Sequence, residues 1–130
     1  FVNLKRFLKV LRLTNIRRHI GFDLTVGSLF KEVLKQARDR TVGWGGEIFF
    51  VYLPTHTRYK AKIYNHDLYM KRGIIIDTVK SLNISVIDIH KKVFENHPDP
   101  LFLFPFRLFG HYTAAANTEI AKAITLSISK

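Results

Sequence analysis

The 130-residue chain carries 21 Lys and Arg against 10 Asp and Glu, a net charge of +11, and is 47% hydrophobic and 13% aromatic. That gives room for one domain with one core, and the lack of cysteine excludes disulfides and thiolate metal sites. No apolar run reaches the ~18 residues of a membrane span, because Lys, Arg or Asp interrupts every one. The chain opens on Phe1, with no signal-peptide core behind it, so we expect a piece of something longer whose localisation is unread.

Between Phe1 and Gly21 stand Lys5, Arg6, Lys9, Arg12, Arg17 and Arg18, with no acid. Leu4, Phe7, Leu8 and Leu11 recur among them at helical spacing. This is either a surface helix with a solvated charged face, or a basic amphipathic helix that meets an anionic membrane surface through residues 1–20. A nucleic-acid partner is disfavoured, since no stacking platform, zinc-finger spacing or recognition-helix pattern accompanies the charge. A second helix is expected from Ser28, a residue suited to capping. Leu29, Phe30, Val33, Leu34 and Ala37 form its inward stripe. It should stop at Val42-Gly43-Trp44-Gly45-Gly46.

Ile48 to Leu53 is apolar throughout, β-branched and aromatic, and too short for a helix; it reads as a strand covered on both faces, closed by Pro54. A polar stretch from Thr55 to Asn65 reads as loop. A third helix is expected from Asp67 to Leu82, with Leu68, Ile75, Ile76, Val79 and Leu82 inward and Gly73 an interior weak point costing ~1 kcal/mol. Ile84 to Ile89 reads as a second strand, giving a right-handed parallel βαβ unit. A short helical segment at 91–96 precedes a loop over His97–Phe106, whose three prolines hold it out of regular structure. Thr113 should cap a last helix with Ile120, Ala121, Ile124 and Ile128 inward.

Two strands are few for a sheet covered on both faces. The expectation is therefore the end of a doubly wound α/β domain, one partial domain over 1–130 that is helical across 1–43, with an unpaired strand edge and exposed apolar surface. Chemistry in such sheets gathers beyond the carboxyl ends of the strands. Those places are Pro54-Thr55-His56, Asp88-Ile89-His90 and the loop leading to His111. His111 stands just before a helix N-terminus, where a braced loop can aim an imidazole that takes and returns a proton. His56 and His90 read as exposed loop histidines, and Asp88 as a cap for the next helical segment. The spacing of His56, His90 and His111 matches no metal motif, and no metal or cofactor is expected.

His111-Tyr112-Thr113, Ala116-Asn117 and Ile120-Ala121 resemble the last conserved block of the SGNH (GDSL-type) hydrolases. Phe49 to Pro54 with Arg58-Tyr59, Ile84 to Ile89, Asp99-Pro100-Leu101, and Phe104-Pro105-Phe106 with Gly110-His111-Tyr112 extend the likeness in order across about 44–126, as in a bacterial subgroup. The resemblance implies a flavodoxin-like three-layer α/β/α domain that hydrolyses an acyl ester on a small molecule, glycan or lipid. It implies that His111 is the base serving a serine. The Gly-Asp-Ser and Gly-x-Asn-Asp blocks are absent from these residues, and both precede the matching region in family order. The usual orienting acid, three residues before the histidine, is replaced by Leu108; the nearest upstream acid, Asp99, takes that role or merely starts an Asp-Pro turn. Ala116 stands where the family has glycine. A rival from another class is a basic, non-enzymatic module that binds anionic lipid or nucleic acid through its first helix.

Overall fold

A computed structural model describes residues 27–60 and 66–129. The expected basic helix over 1–20 lies outside them. The described elements are α1 (Ser28–Gly43), β1 (Phe49–Tyr52), α2 (Thr57–Lys60), α3 (His66–Ser81), β2 (Ser85–Asp88), a π-helical turn (His90–Phe94), two 3-10 turns (Pro100–Leu103 and Pro105–Arg107) and α4 (Ala114–Ile128). β1 and β2 pair in parallel, Phe49 with Ser85 through Tyr52 with Asp88. The chain is thus an α/β structure built on two parallel strands. No described helix is long and apolar enough to cross a membrane.

Side chains alternate across a strand, so each strand feeds two cores. On one face Val79, Leu82 and Ile84 form a buried cluster that Phe30, Leu34, Ile48, Phe50, Ile75 and Val86 complete. α1 and α3 cover that face. On the other, Ile87, Ile89, Phe94, Leu103, Phe104, Ala116 and Ile120 are buried together, with Phe49, Val51 and Tyr112 packed against them. α4, the π-helical turn and the proline-rich loop cover this second face. The double coverage explains why the strand sequences are apolar apart from Ser85 and Asp88, at the two ends of β2.

Several local expectations shift. Ser28 is the first helical residue of α1 and Gly27 is the cap, without a side-chain bond. Only Phe30 and Leu34 of the expected stripe reach the core, while Leu29 and Val33 stay exposed. In α4 the inward residues are Ala116, Ile120, Ala123 and Ile124. Ala121 and Ile128 are exposed there: Ala121 lies off the inward stripe, and Ile128 is in the last turn, beyond the packed stretch. Thr113 caps α4 as expected, its hydroxyl accepting from the Ala116 amide at 3.2 Å. Leu68 lies where no side chain is described.

The loop after β1 departs most. Thr55 to Asn65 reads as polar loop, yet α2 forms inside it and buries Arg58. His56 and His90, expected outside, are both 5% exposed. Each exchanges water for a specific partner, which is the condition for burying a polar ring.

Candidate active site at the carboxyl ends of the strands

Tyr52 and Asp88 close the two strands and face one another in register. Arg72, from α3, ion-pairs with the Asp88 carboxylate and lies over the Tyr52 ring at 5.9 Å. Asp88 Oδ1 also accepts from the Lys91 amide at 3.4 Å. Its carboxylate is thereby committed to an ion pair and to the start of the next turn, the capping role read from its position. Arg58, 1% exposed, hydrogen-bonds the Tyr52 hydroxyl. Burial raises the Tyr52 pKa, with the two nearby guanidiniums pulling the other way.

His90 opens the π-helical turn directly beyond β2. Its Nδ1 lies 2.8 Å from the Tyr59 hydroxyl and its Nε2 lies 3.9 Å from Glu95. Burial lowers its pKa, and the fields of Arg58 and Arg72 lower it further. Both effects favour the neutral imidazole. His56 Nε2–H donates to the Arg107 carbonyl at 2.9 Å, and its ring meets Phe104 edge-on. Both histidines brace loops to the strand ends. The rule that strand ends gather chemistry picks out both positions; local polarity misplaces them. The aromatic residues Tyr59, Phe94 and Phe104, which stack into one cluster around them, are the signal that points inward.

His111 contrasts with both. It is exposed, between Gly110 and Tyr112, just before α4. Two anchors fix its backbone. The Tyr112 hydroxyl donates to the carbonyl of buried Pro54, on the exit of β1. The Thr113 amide donates to the Leu103 carbonyl at 3.0 Å. Tyr112 itself packs between Phe94 and Phe104, and burial pushes its pKa up to about 12. The anchoring hydroxyl thus stays protonated and keeps donating. His111 is thus an exposed residue next to one whose hydroxyl reaches the β1 exit, and it is not among the buried core residues.

Asp99 is placed differently from the expectation. Its Oδ2 lies 2.5 Å from Arg107 Nη2, and no hydrogen bond joins it to His111 among the described residues. Leu108 is exposed on the same loop. Among the described residues no three His, Asp or Glu side chains gather as a metal site would need. Compared with protein-family models, with curated proteins and with solved structures, the chain matches none.

Proposed function

We propose that this chain is the C-terminal part of an SGNH-type serine ester hydrolase, with a flavodoxin-like domain completed by residues upstream, and that His111 is its general base. One observation carries the reading. His111 is exposed just before α4, next to Tyr112, whose hydroxyl donates to the Pro54 carbonyl on the β1 exit. The carboxyl ends of the strands are where open α/β sheets do their chemistry. The serine Oγ, supplied by a Gly-Asp-Ser block upstream, attacks the ester carbonyl carbon while His111 takes its proton. The imidazolium returns that proton to the departing alkoxide, and water repeats the sequence to release the acid. No cofactor is needed for either half.

Asp99 is paired with Arg107, so His111 is positioned through its backbone anchors rather than by that carboxylate. The substrate is an acyl ester on a small molecule, glycan or lipid. Reading the coding frame upstream of Phe1 tests the proposal: Gly-Asp-Ser followed by Gly-x-Asn-Asp is expected. An upstream frame lacking both blocks overturns it.

A further inference from the structure

Beside His111 the loop from Pro100 to Phe109 does something a folding chain avoids. Phe106 is 93% exposed and Phe109 79%, with Phe102 and Leu108 also outward. Phe106 and Arg107 both take left-handed backbone, φ 54° and 58°, a conformation that bulky residues adopt at a cost. Core packing does not compensate that cost at Phe106, since the ring points to solvent.

The loop nevertheless holds its own shape. Asp99 and Arg107 close its base, and the amides of Phe102, Phe104, Arg107 and Leu108 bond back within it at 3.0–3.1 Å. His56 grips the Arg107 carbonyl from the strand side. The result is a self-bonded loop whose Phe102, Phe106 and Phe109 rings face solvent. Its apolar surface continues through a hollow of about 560 Å³ lined by Phe102, Leu103, Ala123 and Leu126, with Lys92 and Lys122 at the edge. Glu119, which lines the hollow, is paired with Lys122, and Asp99 with Arg107. Lys91 and Lys92 are exposed, and Lys92 lines the same hollow.

We propose that the 100–109 loop is a membrane-insertion surface, seating its Phe and Leu side chains among the headgroups of an anionic bilayer. Aromatic rings favour that depth, where one side is apolar and the other wet. Binding of this kind scales with apolar area buried plus attraction to anionic lipid. The loop is separate in sequence from the basic stretch at 1–20, and the proposal stands whether or not His111 is catalytic.

Phe106→Trp, placed in a Trp44→Phe background so that it is the sole tryptophan, reports on this loop alone. Vesicles of mixed phosphatidylglycerol and phosphatidylcholine should shift its emission to the blue, and bromine-labelled acyl chains should quench it. Pure phosphatidylcholine vesicles should do so only weakly. In the otherwise natural chain, Phe106→Asn with Leu108→Ser should weaken vesicle affinity by about tenfold or more. The fold should be kept, since Asn tolerates left-handed backbone and neither side chain is buried. Emission that stays unmoved while the chain co-sediments with vesicles would overturn the proposal in favour of the basic stretch. Concentration-dependent self-association that the double substitution abolishes, without vesicle binding, would overturn it in favour of a protein partner. Equal binding to neutral and anionic vesicles would overturn the anionic choice.

Discussion

A histidine enclosed with two arginines is pushed toward its neutral form, and His90 is such a residue. Burial comes first among the causes, then the fields of Arg58 and Arg72. Because its folded pKa lies below the ordinary 6.5, the unfolded chain binds the proton first as the pH falls. The stability that neutral His90 contributes is complete above about pH 6.5 and is lost as the pH drops from there toward the folded value. His90→Gln removes the titration while keeping a polar side chain. The melting temperature of the natural chain should therefore fall more steeply than that of the variant between about pH 7 and 5. Parallel profiles would show that His90 does not titrate between the folded and unfolded states.

At the scale of elements, α3 contains a correctable weakness. Gly73 lies inside the helix, and a Cβ built there meets nothing within 4 Å. Gly73→Ala should therefore stabilise by about 0.5–1 kcal/mol, by lowering the entropy of the unfolded chain and raising helix propensity. A lowered melting temperature would contradict this.

That glycine was legible because helices and strands announce themselves by period. β1, β2, α1 and α4 are each foreseen within a residue or two, and so is the Thr113 cap. Periodicity is silent in the loops, where the site is built. Burial of His56, Arg58 and His90 depends on aromatic residues far along the chain: Phe104 lies against His56, and Tyr59 bonds His90. No local pattern encodes such contacts. The Asp99–Arg107 pair is equally hidden, since it depends on the two 3-10 turns bending the loop back on itself. His111 could be named from sequence because a following helix with a good cap is itself a periodic signal.

Taken whole, the molecule is a pair of parallel strands covered on both faces, yet all four residues of β1 remain only half-buried. A parallel sheet of two is small for its type, and such strands ordinarily lie between neighbours. Under the proposed reading the upstream strands and the serine loop complete this sheet. His111 then meets its nucleophile at the strand ends, while the aromatic loop beside it seats the active site at a lipid surface.

The most direct test of the proposed catalytic role is ester turnover by the full-length protein, in which the proposal expects a Gly-Asp-Ser block. Steady-state hydrolysis of p-nitrophenyl acetate is measured before and after His111→Ala, with the melting temperature recorded for both. Removing a general base from an exposed loop should lower kcat by about 10³-fold or more. The melting temperature should stay essentially unchanged, since His111 is not part of the core. A variant that retains parental kcat would contradict the assignment of His111 as the catalytic base.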